Sequence, residues 1–166
     1  GTFVVSLHRG KAQAAVGEAE YIEHGAGALV ETCNGVEYEI SPQSFFQTNS
    51  RQVAQLYSQV LQAAGDVSSC RVLDLYCGTG GISLQLARQG ARVTGVEVAE
   101  EAVRDARRNA ERNGIGSCSF LAGPVEKLLP DLLESTPDLI VVDPPRAGLH
   151  PRVLRELSAR AADRLV

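Results

Sequence analysis

The chain has 166 residues, of which 44% are hydrophobic and 22% are charged. This length suits one domain with a real apolar core and at most a small appendage. We find neither an apolar run near the ~20 residues of a membrane span nor a signal-peptide pattern, and therefore expect a cytoplasmic protein without membrane contact. The net charge of −4 lacks the basic excess that is typical of nucleic-acid-binding surfaces.

The cysteines are scattered and include no C-x-x-C pair. This spacing argues against a zinc or iron–sulfur site, and we expect no metal in this segment. The simplest interpretation is that all four cysteines are reduced thiols without a functional role. They are Cys33, Cys70, Cys77 and Cys118.

Residues 1–48 are predicted to form a small β-rich segment with a hairpin. Two of its strand-like stretches flank Asn34-Gly35. This dipeptide readily takes two successive positive φ angles and is typical of a two-residue hairpin turn. The predicted strands cover residues 2–8, 28–33 and 36–40.

Residues 49–166 are predicted to form a second unit that begins with a helix. Asn49 or Ser50 caps this helix, and Gly65 ends it. Apolar strands then alternate with helices, which predicts an α/β fold with a Rossmann-like parallel sheet and helices on both faces. The predicted strands cover residues 71–75, 92–96, 118–121 and 138–142, and a fifth strand begins at 164–166. The predicted helices between them cover residues 82–89, 99–113, 125–134 and 151–162.

A glycine turn follows the first of these strands and opens the next helix. Gly78 and Gly80 let the backbone turn tightly and approach a ligand without a side-chain clash. The helix that follows offers unpaired N–H groups. Ligands of open parallel sheets bind beyond the carboxyl ends of the strands, so this turn predicts a cofactor crevice.

Two acidic residues end further strands at the same edge. Glu97 ends the second strand, where a carboxylate suits the two hydroxyls of an adenosine ribose. This arrangement fits either a nicotinamide dinucleotide or S-adenosyl-L-methionine. Asp143 opens a rigid Asp-Pro-Pro-Arg146 turn, and its negative charge can face the cationic methionine part of S-adenosyl-L-methionine. The acidic turn therefore favours the methyl donor.

Five motifs in order resemble the RNA uracil-5-methyltransferase family, whose members make 5-methyluridine in tRNA or ribosomal RNA. The resemblance extends from the β-rich segment to the last residue. It implies a class I methyltransferase fold, S-adenosyl-L-methionine as cofactor and RNA as partner. The motifs are Phe45-Phe-Gln-Thr-Asn49, Val72-Leu-Asp-Leu-Tyr-Cys-Gly-Thr-Gly80, Gly95-Val-Glu97, Asn109-Ala-Glu-Arg-Asn113 and Val142-Asp-Pro-Pro-Arg-Ala-Gly148.

The resemblance also implies which residues contact the cofactor. The matching positions are Gln47, Tyr76, Glu97 and Asp143. One position departs from the family, because Pro124 stands where relatives carry Asp or Asn near the adenine.

Two further residues are weaker candidates for contact with the substrate. Phe46 could stack on a flipped target base. Arg146 stands where methyltransferases that act on amino groups place an aromatic residue, which favours a carbon of uracil as the target.

The residue that would activate uracil is expected outside this chain. C5 of uracil is a weak nucleophile, and the family activates it with a cysteine thiolate that adds to C6. In the family this cysteine follows the fifth strand, so we expect it beyond Val166 and expect the 166-residue chain to be inactive by itself. We also expect strand 138–142 to lie near an open apolar sheet edge that could self-associate.

Three alternatives remain open at this point. The chain could belong to a different methyltransferase that acts on RNA or protein. It could also be a non-catalytic module that binds S-adenosyl-L-methionine. A nicotinamide oxidoreductase is disfavoured, because residues 78–83 lack the third glycine of the dinucleotide fingerprint.

Overall fold

The computed structural model describes residues 3–7, 19–25, 27–42, 44, 49–159 and 162–166. The β-strands are β1 Phe3–Leu7, β2 Ala19–His24, β3 Leu29–Cys33, β4 Val36–Ile40, β5 Arg71–Leu75, β6 Arg92–Glu97, β7 Cys118–Ala122, β8 Leu139–Val142 and β9 Arg164–Leu165. The α-helices are α1 Ser50–Ala64, α2 Gly81–Arg88, α3 Glu100–Arg112, α4 Val125–Leu132 and α5 Pro151–Ala159.

The centre of the fold is a parallel five-stranded sheet with strand order β7-β6-β5-β8-β9. Successive side chains of a strand point to opposite faces, so each inner strand contributes to two apolar cores. Val72 packs on the face covered by α1, α2 and α3, whereas Leu73 packs on the face covered by α4 and α5. The predicted α/β class with helices on both faces is confirmed.

The strand order reverses beside β5. The chain runs outward from β5 to β6 and β7, then returns to the other side of β5 with β8 and β9. The connections that leave β5 and β8 therefore diverge and open a crevice at the carboxyl ends of these strands. The glycine turn and Asp143 both follow these two strands.

Two antiparallel pairs precede the parallel sheet. β1 pairs with β2, and β3 pairs with β4. The predicted turn between β3 and β4 is confirmed, because Asn34 and Gly35 have φ angles of 47° and 74°. β2 is a strand that the sequence did not predict, since residues 19–24 mix charged and apolar side chains without a regular alternation. The predicted boundary after residue 48 stays a prediction.

Helix α3 binds the outer edge of β4 through side-chain amides. The N–H of Glu37 donates to Asn113 Oδ1 (2.9 Å), and the N–H of Glu39 donates to Asn109 Oδ1 (2.7 Å). Both amide nitrogens donate back to the carbonyl oxygens of the same strand residues. Four helical residues rise ~6 Å and two strand residues rise ~6.6 Å, so every fourth residue of the helix meets every second residue of the strand.

The same helix face continues this ladder with charged groups. Asp105 Oδ2 accepts hydrogen bonds from the N–H (2.9 Å) and the hydroxyl (2.8 Å) of Ser41. Arg108 and Arg112 form ion pairs with Glu39. The hairpin is thus fixed to the helical layer that covers the sheet.

β9 covers the edge of β8, and their residues pair in parallel. Val166 N–H donates to the Ile140 carbonyl (3.0 Å), and Val142 N–H donates to the Val166 carbonyl (2.8 Å). The edge that could self-associate is therefore that of β9, not that of β8, and association itself stays a prediction. Across the ranges described above, no helix is both long and apolar enough to span a membrane.

Candidate functional site

The segment between β5 and α2 turns sharply at the centre of the sheet edge. Tyr76, Gly78 and Gly80 have φ angles of 68°, 53° and 83°, all in the left-handed region. A tyrosine rarely adopts this conformation, and such strain is found mainly at functional sites. The N–H groups of Tyr76 and Cys77 both donate to the Val96 carbonyl (2.8 and 3.0 Å), so the turn lies against the end of β6.

Asp74 lies at the end of β5 beneath this turn and is 1% exposed. Ser83 Oγ donates to Asp74 Oδ2 (2.5 Å), whereas Asp74 Oδ1 is buried without a partner among the described residues. Burial raises the pKa of Asp74 to about 7; the neighbouring carboxylates of Asp143 and Glu97 also raise it, and the Ser83 hydrogen bond lowers it. An unpaired buried carboxylate oxygen is costly, which indicates a missing polar or cationic partner.

Glu97 is half-buried at the end of β6. Its Oε2 accepts a hydrogen bond from the N–H of Gly78 (3.2 Å), and its Oε1 accepts one from the N–H of Ala99 (2.9 Å). Its carbonyl oxygen accepts from the N–H of Gly123, which follows β7 (2.9 Å). The carboxylate is therefore held beside the glycine turn and keeps spare lone pairs for a ligand.

Asp143 is exposed immediately after β8. Its N–H donates to the Leu75 carbonyl (3.4 Å), which ties the start of the acidic turn to the end of β5. The turn closes with a bond from the Gly148 N–H to the Pro145 carbonyl (2.8 Å). Arg146 lies exposed on this turn, and its contact with a substrate stays a prediction.

One cavity joins these strand ends and encloses about 80 Å³. Three of the predicted cofactor residues, Tyr76, Gly78 and Asp143, line it together with Asp74. Glu97 adjoins it through its bond to Gly78. The complete lining is Leu56, Tyr57, Asp74, Tyr76, Cys77, Gly78, Thr79, Gly81, Ile82 and Asp143.

Tyr57 is a lining residue that the sequence did not reveal. It lies on α1 with the apolar spacing of a core residue, and it is in fact 6% exposed. Its ring packs near that of Tyr38, with centroids 6.3 Å apart. A Cβ atom at Gly81 would lie 2.0 Å from the Tyr57 hydroxyl oxygen. Tyr57 therefore fills the space that a side chain at position 81 would otherwise take.

Two predicted residues, Phe46 and Gln47, lie outside the described residues. Their roles stay predictions. Pro124 is the N-cap residue of α4, and its side chain has no polar group that could cap the helix. Near it the structure presents exposed apolar surface, because Val98 and Leu121 are 61% and 37% exposed at the ends of β6 and β7. A planar apolar group such as a base could be covered here without an acidic residue at position 124.

The residues present fit the predicted methyl donor. The buried oxygen of Asp74 and the exposed carboxylate of Asp143 attract cationic groups, and Glu97 can accept hydrogen bonds from hydroxyl groups. A Cβ at Gly78 would meet nothing within 4 Å, so the backbone there is open to a ligand.

Three of the four thiols have raised pKa values, and the fourth lies far from the cavity. Burial raises the pKa of Cys33, that of Cys118 to about 12, and that of Cys77 well above its ordinary value; nearby acidic groups add to each increase. Cys70 lies before β5, at the opposite end of the sheet from the cavity. Since the thiolate is the reactive form, none of these cysteines is suited to attack a base in the crevice.

A model of the methyltransferase domain matches residues 66–160. Among curated proteins, an uncharacterized RNA methyltransferase of Chlorobaculum tepidum is 42% identical over 156 residues, which cover 92% of this chain and 32% of that protein. Another, from Caldanaerobacter subterraneus subsp. tengcongensis, is 45% identical over 134 residues, which cover 81% of this chain and 30% of that protein. The chain thus spans about a third of the length of these curated relatives.

Solved structures share the same architecture. The Pyrococcus abyssi tRNA (uracil-54, C5)-methyltransferase in complex with S-adenosyl-L-homocysteine matches with a TM-score of 0.77 and 34% identity, over 96% of this chain and 38% of that one. A T. thermophilus 16S rRNA N2 methyltransferase in complex with AdoMet and guanosine matches with a TM-score of 0.62 and 29% identity, over 84% and 39% of the two chains.

Proposed function

This chain belongs to the methyltransferase-domain family, and we propose that it is the cofactor-binding part of an RNA methyltransferase that acts on C5 of uridine in tRNA or ribosomal RNA. The observation that carries the proposal is the crevice at the strand-order reversal, where Asp74, Tyr76 and Asp143 line one cavity beside Glu97. S-adenosyl-L-methionine is the cofactor of this domain, as the sequence predicts. When bound, it supplies an electrophilic methyl group on a sulfonium centre.

We assign each part of the cofactor to a residue by the chemistry of its side chain. Glu97 binds the ribose hydroxyls, because an ionised carboxylate offers only acceptors. The apolar surface of Val98 covers the adenine, and Asp143 faces the cationic methionine part. Asp74 supports the same end through its unpaired oxygen, which a cationic group would satisfy.

RNA as the substrate is supported by the curated relatives, which are named as RNA methyltransferases. Uridine C5 as the target is supported by the P. abyssi tRNA methyltransferase, at 34% identity. The sequence of the acidic turn adds support for this target, because Arg146 stands where methyltransferases that act on amino groups place an aromatic residue.

The activating nucleophile is the component that this chain does not provide. Attack on a methyl group by uracil C5 requires prior addition of a thiolate to C6. The raised pKa of Cys77 and of Cys118 keeps both thiols protonated at neutral pH. We therefore propose that the nucleophilic cysteine, and the base that removes the C5 proton, come from residues other than those of this chain.

Isothermal titration calorimetry tests the cofactor assignment. We expect the chain to bind S-adenosyl-L-methionine and to show no heat of binding with NAD. Glu97→Gln should weaken binding about 10-fold, since one charge-assisted acceptor is lost. Glu100→Gln, at an exposed position on α3, is the matched control and should bind like the wild type. Binding of NAD but not of S-adenosyl-L-methionine would refute the assignment.

A methyl-transfer assay tests the division between cofactor site and nucleophile. The 166-residue chain, incubated with tRNA and S-adenosyl-L-methionine, should make no 5-methyluridine. The whole protein should do so, and should form a covalent adduct with RNA that carries 5-fluorouridine, because the fluorine that replaces the C5 hydrogen cannot be removed as a proton and the thiolate is not released. Turnover by the chain alone would contradict the proposed location of the nucleophile.

A further inference from the structure

Tyr57 brings a hydroxyl group to the most enclosed part of the crevice. The residue belongs to α1, and its side chain lies over the first residue of α2. A Cβ atom at Gly81 would lie 2.0 Å from its hydroxyl oxygen and 2.7 Å from Cζ. The hydroxyl therefore lies at the N-terminus of α2, directly beside the glycine turn.

The hydroxyl of Tyr57 is available for a ligand. None of the described groups forms a hydrogen bond with it, although the residue is 6% exposed and lines the cavity. The neighbouring Tyr38 differs, because its hydroxyl donates to the Gly81 carbonyl (3.0 Å) and accepts from Gln85 Nε2 (3.0 Å). A buried hydroxyl that lines a cavity is expected to find its partner there.

The charges around Tyr57 restrict what this partner can be. Burial raises the pKa of Tyr57, and Cys33, Asp74 and Asp143 raise it further. The hydroxyl consequently stays protonated and can donate a hydrogen bond. When ionised, the carboxylates of Asp74 and Asp143 can only accept hydrogen bonds, whereas the Tyr57 hydroxyl can donate one to a ligand in the same cavity.

The methionine part of the cofactor carries an α-ammonium group and an α-carboxylate group. The ammonium matches the unpaired oxygen of Asp74 and the carboxylate of Asp143. The α-carboxylate needs donors and must avoid these two acidic residues. The first N–H groups of α2 and the Tyr57 hydroxyl, which lies over the same helix end, provide them.

We propose that Tyr57 is a cofactor-binding residue whose hydroxyl donates a hydrogen bond to the α-carboxylate of S-adenosyl-L-methionine. This inference rests on the proposed function of the crevice. It also explains Gly81, because any larger residue at the start of α2 would displace the phenol. Tyr57 thereby sets the position of the methionine part, while the ribose is held independently by Glu97.

The test is a comparison of two ligands that differ in one group. S-adenosyl-L-methionine carries the α-carboxylate, whereas decarboxylated S-adenosylmethionine keeps the sulfonium and the amine without it. In the wild type, the complete cofactor should bind more tightly than the decarboxylated one. Tyr57→Phe should weaken binding of the complete cofactor about 10- to 100-fold, as expected for a hydrogen bond to a charged group. It should leave binding of the decarboxylated ligand within about twofold of the wild-type value, since the missing bond contributes nothing there.

Tyr38→Phe is the matched control. It removes the hydroxyl of the neighbouring ring and should lower the melting temperature while changing the affinities for both ligands by the same factor. If Tyr57→Phe does not fold, Gly81→Ala provides the second variant, because it pushes the hydroxyl aside without removing it. It too should weaken binding of the complete cofactor selectively.

Three outcomes would overturn the inference. These are equal loss of both ligands in Tyr57→Phe, no loss of either, and equal affinity of the two ligands for the wild type. Each leaves the proposed function intact, because the wild type still binds the cofactor. Failure of the wild type to bind S-adenosyl-L-methionine would instead reject the function of the crevice.

Discussion

Replacement of Asp74 by asparagine tests how much a buried, unpaired carboxylate in the crevice lowers the free energy of unfolding. The substitution keeps the shape of the side chain and an oxygen that accepts the hydrogen bond from Ser83 Oγ. It removes the titratable group whose Oδ1 is buried without a partner. The variant should therefore lose a specific dependence of stability on pH while the packing stays the same.

The size and sign of this effect follow from the pKa of Asp74. The unfolded chain loses the proton at an ordinary pKa of 3.8, whereas the folded chain keeps it up to about pH 7. Between these values the folded state binds more protons, so the stability from this group is complete below about pH 4 and is lost as pH rises through about 7. The difference corresponds to roughly 4 kcal/mol in the free energy of unfolding.

Urea denaturation followed by circular dichroism between pH 5 and 8 measures the effect. Asp74→Asn should gain on the wild type as pH rises from 5, and the gain should level off above about pH 7, where the wild type carries the full cost of the buried charge. Asp131→Asn, at an exposed position on α4, is the control and should follow the wild-type profile. Parallel profiles for Asp74→Asn and the wild type would refute the argument. The stabilised variant should also bind S-adenosyl-L-methionine more weakly, because the cationic end loses its partner.

Two further substitutions probe the packing around the site. Gly81→Ala should weaken cofactor binding about 10-fold and lower the melting temperature, because its Cβ would lie 2.0 Å from the Tyr57 hydroxyl oxygen. Gly116→Ala, whose Cβ would meet nothing within 4 Å, is the control. Similar behaviour of the two variants would contradict this prediction. Asn109→Ala should lower the free energy of unfolding by about 2–4 kcal/mol, since it leaves the backbone of Glu39 without partners. Arg104→Ala, on the exposed face of the same helix, should unfold at the wild-type urea concentration, and an equal loss there would show that the amide bonds matter little.

The parallel sheet could be predicted because its signals are local. Each strand is a short apolar run, and glycine ends the helices before β6 and β7, where Gly90 and Gly114 have φ angles of 93° and 64°. The hairpin turn at Asn34 was equally clear, because few sequences accept two positive φ angles in succession. The strand order β7-β6-β5-β8-β9 was not predicted, because right-handed crossovers fix the face on which each connecting helix lies but not the order of the strands.

The residues that the sequence did not reveal act through long-range contacts. Tyr57 has the spacing of an ordinary core residue, and only the fold shows its hydroxyl over Gly81. Asn109 and Asn113 were recognised as a motif, yet their bonds to Glu37 and Glu39 join residues about 70 positions apart. No periodicity in the sequence encodes such a pairing, because it depends on how a hairpin packs against a helix.

One side chain joins the hairpin to the cofactor turn. Asn109 Nδ2 donates both to the Glu39 carbonyl (3.1 Å) and to the Thr79 carbonyl (3.3 Å) in the glycine turn. The same turn is held from the other side, where Gly78 donates to Glu97. Because Asn109 is fully buried, neither bond can be exchanged for water without moving α3. The strained turn is thus kept in its ligand-accepting shape by the hairpin as much as by the sheet, which is why the β-rich segment and the methyltransferase sheet share one core.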